Sequence, residues 1–294
     1  MQRLIVSLIS LAMTLGGLAA RAAGDTKAEQ LLAQARAALG GEKNLAKVQG
    51  LSATGTYQRE VGDRQVNGDV TIDLQLPDRM LRTESMRPMG DATIEILQGI
   101  NGDQVLRNSR TISGGPGMMV RIAPPPGGAD GDAQALRNQR ADMARFTLAL
   151  LLAAPAAMPL EFAYGGEAES DEGKADVVDA KGPGSFAARL FLDQKTHRPV
   201  MLTYRGAAPR MMMRTLRGDA PPPGAGVPPG IPAGELPPPQ IVDIQLFLDD
   251  YRNVDGVQLP HHLSRSIDGK PNEDITFKTI RVNPSFKADA FTAK

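Results

Sequence analysis

The stretch MARFTLALLLAAP, Met143–Pro155, constrains how the rest of the chain has to fold. A membrane-spanning helix needs about 20 consecutive apolar residues, and this run is shorter. It must lie against protein or against something apolar that the protein holds. Read backwards, it continues a helix predicted from Asp132 through AQALRNQRADMARFTLALLLAA and stopped by Pro155. Leu136, Met143 and Leu150 recur at sevenfold spacing and mark one apolar face, but from Phe146 onward the helix is apolar almost all round. Such a helix has to be enclosed.

The container is written on either side of it. LSATGTYQR (51–59) and GDVTIDLQL (68–76) change the hydrophobic period from 3.6 to 2 and read as strands joined through VGDRQVNG. Val70, Ile72, Leu74 and Leu76 fall on one face. RMLRTES, ATIEILQGI and QVLRNSR follow, set off by turns at Pro77-Asp78 and Asn101-Gly102-Asp103. Beyond the apolar helix, LEFAYGGEAE, KADVVDAKG, FAARLFLDQ and PVMLTYR supply four more strands. IVDIQLFLDDYRNVDGVQLPHHLSRSIDGKPNEDITFKTIRVN gives the last three, near 241–251, 257–266 and 273–282. The whole is an antiparallel meander with one apolar and one wet face. A sheet approaching a dozen strands does not stay flat and open in water and is expected to curl into a complete or partial barrel. The apolar helix belongs on its concave face, where it either plugs the barrel or walls a cavity together with the sheet.

The N-terminus sets the compartment. Arg3, an apolar stretch from Leu4 to Ala19 and the small-x-small step Ala20-Arg21-Ala22 read as an export signal, residues 1–22, cleaved near Ala22. A periplasmic location is the expectation, with no transmembrane segment in the mature chain. The chain has no Cys, so neither a lipidated cysteine nor a disulfide framework is available. Residues 23–294 are read as one domain. It opens with a helix capped by Asp25 or Thr26, with Glu29 as in a capping box and Ala28, Leu31, Leu32, Ala35 and Leu39 on one face before Gly40-Gly41. A short helix over Lys43 to Val48 follows.

Two Pro/Gly-rich insertions, 112–132 and 206–240, interrupt the strands and are expected to be loops. They echo each other: Met118-Met119-Val120-Arg121 precedes APPPG in the first, and Met211-Met212-Met213-Arg214 precedes APPPG in the second. They are either unrelated low-complexity surface segments or a shared rim offering adaptable Met side chains.

Charge excludes one class of partner. The 33 basic and 33 acidic residues balance, which gives no electrostatic reason to expect nucleic acid. Catalytic signatures are missing from the sequence: it has no G-x-S-x-G, no H-E-x-x-H and no GxxxxGK[ST]. His261 and His262 are strand neighbours that point to opposite faces, and His197 sits in a turn. Asp249-Asp250 and Asp130-Gly131-Asp132 lack the alternating spacing of a calcium loop. The expectation is no enzyme, no cofactor, no metal and no catalytic residue.

The run NGDVTIDLQLPDRMLRTE, then TIEILQGINGDQVL and finally IRVNPSFKADAF resembles the periplasmic lipoprotein carriers of the LolA and LolB type and their uncharacterised exported relatives. The order of helix, meander, inner helix and second meander is similar across nearly all of the mature chain. Pro77-Asp78 matches the family's Pro-Asn step after the second strand, and Gly102-Asp103 its Asp-Gly turn. One departure concerns gating: the family's lid is tied by an arginine immediately before that proline, and Leu76 stands there in this chain. The two insertions are a second departure. The resemblance implies an α+β fold in which a large curled antiparallel sheet, an unclosed β barrel of about 11 strands, wraps round a few helices that act as a lid over an apolar cavity.

Two function classes follow. One is a binding or carrier protein for an apolar ligand, a lipid or the acyl chains of a lipoprotein, held by Val70, Ile72, Leu74, Leu76, Ile94, Ile96, Ile244, Leu246 and Leu248 of the sheet with Phe146, Leu150 and Leu151 of the helix. The other is an envelope interaction or sensor protein of the same fold, whose Pro-rich segment 206–240 docks a protein partner.

Overall fold

The expected strands form, and they form one sheet. A computed structural model describes residues 19–61, 64–86, 93–113, 128–208 and 240–292. In chain order its elements are α1 (Ala19–Ala38), α2 (Glu42–Leu45), β1 (Gly50–Val61), β2 (Arg64–Gln75), β3 (Arg79–Met86), β4 (Thr93–Asn101), β5 (Gln104–Ser113), α3 (Gly128–Leu151), β6 (Glu161–Ser170), β7 (Gly173–Gly182), β8 (Phe186–Asp193), β9 (Pro199–Ala207), β10 (Ile241–Val254), β11 (Val257–Ile267) and β12 (Lys270–Val282). The 12 strands run antiparallel in the order β5-β4-β3-β2-β1-β12-β11-β10-β9-β8-β7-β6. The chain thus lays down two meanders and zips them together where β1 pairs with β12, Leu51 opposite Val282 and Arg59 opposite Glu273.

That order leaves β5 and β6 as the two free edges, so the sheet is not closed. In sequence, α3 is what joins one edge to the other. It packs on β4 and β5 at one side and on β8 and β9 at the other, crossing the concavity between the two halves of the sheet. Here lies the reason for the apolar run: Thr147 to Leu152 are all buried, with Leu148, Ala149 and Leu152 at 0% exposure. The same core takes in α1 through Ala28, Leu31, Leu32, Ala35 and Leu39, and α1 lies on β6 and β7. Lys27 of α1 stands 3.8 Å over the ring of Tyr164 in β6.

Several boundaries differ from the sequence reading. The first helix begins at Ala19, so Asp25 and Thr26 lie inside it and do not cap it. The alanine-rich segment around Ala19-Ala20-Arg21-Ala22-Ala23 is among the best helix formers and carries the helix past the capping signal. The second helix is shorter than Lys43–Val48, and α3 starts at Gly128, before Asp132. The link between β1 and β2 is not VGDRQVNG, because Val61 already pairs with Arg64. The polar residues Gln65, Asn67 and Asp69 are exposed strand positions that show no apolar alternation to read. The insertions at 112–132 and 206–240 are represented by their ends only, since 114–127 and 209–239 lie outside the described residues.

The convex face carries two small cores of its own. Leu81, Leu97 and Leu106 of β3, β4 and β5 are covered by Phe291 and Phe286 of the C-terminal segment, whose rings meet edge-on at 5.0 Å. The side-chain amide of Asn101 donates to the carbonyl of Phe291 at 3.1 Å and holds the segment down. Phe291 is 4% exposed. Phe291→Ala should therefore destabilise the protein by about 3 kcal/mol, read from the midpoint of a urea unfolding curve; a loss below about 0.5 kcal/mol would mean that the segment contributes nothing to the fold.

Candidate ligand-binding interior

The nominated apolar residues come together. Val70, Ile72, Leu74, Ile94, Ile96, Leu150, Leu151 and Leu248 are buried members of the core that α1 and α3 share with the concave face, and Leu76, Phe146 and Leu246 pack on it half-buried. Ile244 is also buried, at 4%. It keeps the strand parity of Leu246 and Leu248 and would touch a methyl placed on Gly206 of β9, which lies 3.4 Å from its Cδ1. Period 2 along the strands puts them all on one side. Leu76 stands just beyond β2, where its amide donates to the carbonyl of Gln49 at 2.9 Å.

This interior is filled by the protein's own helices. Close to the middle of α3, a pocket of about 60 Å³ opens at the lip of the sheet, lined by Pro77, Asp78, Gly102, Asp103, Arg140 and Met143 among others. A drug-sized ligand needs about 300–1,000 Å³. The two turns that carried the resemblance meet at this lip, the amide of Gly102 donating to the carbonyl of Asp78 at 3.0 Å. Arg140 of α3 forms an ion pair with Asp103 there. Helix and turns are thus fastened together through a residue pair quite separate from Leu76.

The concave face also holds a charged cluster that the sequence reading missed. Arg59 of β1 donates from Nε to Oε1 of Glu273 in β12 at 2.7 Å and from Nη1 to Oε2 of Glu84 in β3 at 2.9 Å. Arg82 of β3 donates to Oε1 of Glu84 at 2.6 Å and to Oε1 of Glu273 at 2.7 Å. Arg265 of β11 approaches Oε2 of Glu273 at 3.4 Å. The side chain of Glu273 is 3% exposed and that of Glu84 7%. Burial alone would neutralise such carboxyls. Arg82, Arg265 and Arg59 overcome it and hold Glu273 down to about 2, and Arg82 and Arg59 likewise lower Glu84. Tyr57, 1% exposed beside them, is pushed up by burial and then by the charge of Glu84.

From above, α3 adds Asp142 and Arg145, paired at 2.8 Å. The guanidinium of Arg145 also lies 3.9 Å over the ring of Tyr204 in β9, a stacking that suits arginine. Desolvation by the surrounding protein raises the Asp142 carboxyl although its side chain is 48% exposed, and Arg145, Arg265 and Arg82 partly offset that rise.

These charged residues share the strand face of apolar neighbours: Tyr57 then Arg59, Met80 then Arg82, Glu84 and Met86, Leu263 then Arg265, Glu273 then Ile275. A charge in an apolar period was the available signal.

No family model matches the chain, and no curated protein matches it. Solved structures do resemble it. One is a LolA superfamily protein from Nitrosomonas europaea, 9% identical with a TM-score of 0.46 over 90% of this chain and 97% of that one. Another is a putative outer membrane lipoprotein-sorting protein domain from Vibrio parahaemolyticus, 9% identical with a TM-score of 0.44, covering 91% and 97%. A DUF1329 family protein from Desulfovibrio piger is 10% identical with a TM-score of 0.45, covering 90% and 96%.

The histidines take no part in the interior chemistry described so far. His261 is buried, its Nδ1 3.1 Å from the carbonyl of Leu259, whereas His262 meets Asp274 at 2.8 Å. Among the described residues, no group of three or more His, Cys, Asp or Glu converges on one point, and no helix is long and apolar enough to cross a membrane.

Proposed function

We infer that the protein is an exported, periplasmic binding or carrier protein, and not an enzyme, for an apolar ligand such as a lipid or the acyl chains of a lipoprotein. The observation that carries this reading is the placement of α3: an apolar helix that fills an unclosed sheet and is tied covalently only to its two free edges. Such a helix can leave without breaking a single strand pair. The space it vacates is lined by Val70, Ile72, Leu74, Ile94, Ile96 and Leu248, a surface whose exposure costs about 25 cal/mol per Å² until an apolar guest covers it. Acyl chains supply that cover, and α3 is the lid they displace.

Two measurements test it. Native mass spectrometry of protein purified from its own envelope should show a co-purifying lipid. Binding of a fluorescent acyl probe should be accompanied by faster amide exchange in α3 between Met143 and Leu151, because the helix gives up its place. A probe that fails to bind, or that binds while exchange in α3 is unchanged, would sink the reading.

The alternative of a partner-docking protein draws support from the direction of the strands. β5 and β9 run the same way in the alternating sheet, so the segments after Ser113 and after Ala207 leave from the same end. Replacing 210–238 by a short Gly-Ser link should leave acyl-probe binding and thermal midpoint nearly unchanged, since loop closure depends weakly on length; loss of an envelope partner in crosslinking from cells, with lipid retained, would favour docking.

A further inference from the structure

On the concave face the charges do not cancel. Within the sheet, Arg59, Arg82 and Arg265 form ion pairs with Glu84 and Glu273, one guanidinium too many. The pair Arg145–Asp142 on α3 leaves that surplus as it is. A cluster serving only to tie strands is expected to be close to neutral, because a half-buried charge without its own counter-charge is unfavourable; the Arg265 side chain is 21% exposed. Two unsatisfied polar groups accompany the surplus: the Tyr57 hydroxyl and the Nε of Arg145, both buried and without a hydrogen-bond partner. Buried polar groups are nearly always satisfied. Arg265 is the least committed of the guanidiniums, with 3.4 Å to Glu273 and its other bonds to the Asn272 side-chain oxygen at 3.0 and 3.3 Å. Surplus charge and idle donors call for the same thing, an acceptor that carries negative charge.

We propose that this cluster receives the anionic head, a phosphate or carboxylate, of an amphiphile whose acyl part packs on the apolar lining. This rests on the carrier reading above. Arg265 and Tyr57 donate to the oxygens of the head, and the planar guanidinium fork matches phosphate and carboxylate oxygens. Asp142, paired with Arg145 on α3, lies within electrostatic reach of Arg265 and Arg82. An arriving anion competes with it for those cations, so the head loosens the helix that the acyl chain must displace. Cargo without a negative head lacks this step.

The experiment compares two amphiphiles of equal chain, oleoyl lysophosphatidic acid and monooleoylglycerol, with inorganic phosphate as a third arm, by calorimetric titration of the full mature protein. The anionic lipid should bind about ten-fold more tightly than the neutral one, a difference of about 1.4 kcal/mol, and phosphate alone should not displace it. Arg265→Met should bring the ratio of the two affinities close to one. Tyr57→Phe, which removes only the hydroxyl, should cut that ratio by about two- to five-fold and decides the matter if Arg265→Met does not fold. Equal binding of the two lipids overturns the inference and leaves the carrier reading standing. Binding of neither lipid overturns both. Displacement of the anionic lipid by phosphate alone would mean a free-anion site and overturns the amphiphile assignment.

Discussion

Glu273→Gln should lower the free energy of unfolding at neutral pH by about 3–5 kcal/mol, the usual cost of breaking a buried ion cluster from one side. Glu273 receives Arg59, Arg82 and Arg265 together, and its side chain is 3% exposed. Glutamine keeps the shape but leaves Arg59 and Arg82 with Glu84 as their remaining paired carboxylate and removes the carboxylate that Arg265 approaches. The same variant should also change the response to acid. Its carboxyl is held at about 2, below an ordinary 4.5, by Arg82, Arg265 and Arg59 against the opposing effect of burial. A carboxyl lowered on folding contributes stability that is complete above its unfolded value and is lost as pH falls through its folded value. The window is therefore about pH 4.5 down to 2, and the contribution is about 3 kcal/mol. Between those limits the wild type should lose stability steeply, and Glu273→Gln should fall by about 3 kcal/mol less. Urea unfolding at pH 7, 4.5, 3.5 and 2.5 measures both effects. Parallel curves for the two proteins would show that Glu273 does not hold the buried ion pairs seen here.

Leu150→Asp should be the most damaging single change to the interior. The sequence reading favours a folded protein with weakened acyl binding, on the view that this face borders a ligand space, with unfolding as the alternative if the helix plugs the barrel. Burial reverses that expectation toward unfolding, since Leu150 is 4% exposed and packed in the core shared by α1, α3 and the concave face. A carboxylate there has no partner at its own position and would cost several kcal/mol. Loss of the circular dichroism signal at 37 °C is the expected result. A folded Leu150→Asp protein with a near-normal thermal midpoint would show that α3 leaves the sheet readily even without ligand. The contrasting variant Leu150→Ala should fold with a loss of about 3 kcal/mol. By weakening the closed arrangement it should also raise the affinity for an acyl probe, because less of the binding energy is used to displace the helix.

Amplified by repetition, period 2 made the strands legible: β10, β11 and β12 lie within a few residues of their expected bounds, and every nominated apolar residue reached the interior or its rim. The all-round apolar character of Phe146 to Leu152 was enough to demand a container. These properties are local, because a strand shows its buried face in every second residue and a helix in its apolar arc. The pairing of β1 with β12 is not local. It joins residues more than 200 positions apart and sets Arg59 on Glu273, while β3 brings Arg82 and Glu84 and β11 brings Arg265. Each of these charges alone reads as an ordinary polar strand position. Only the order of strands shows that they meet, that the two carboxylates are buried, and that one positive charge is left over. The same holds for α3. Its sequence required enclosure, but whether the helix or a ligand fills the curl depends on packing among side chains drawn from both helices and both meanders, and van der Waals packing has no signature in any one segment.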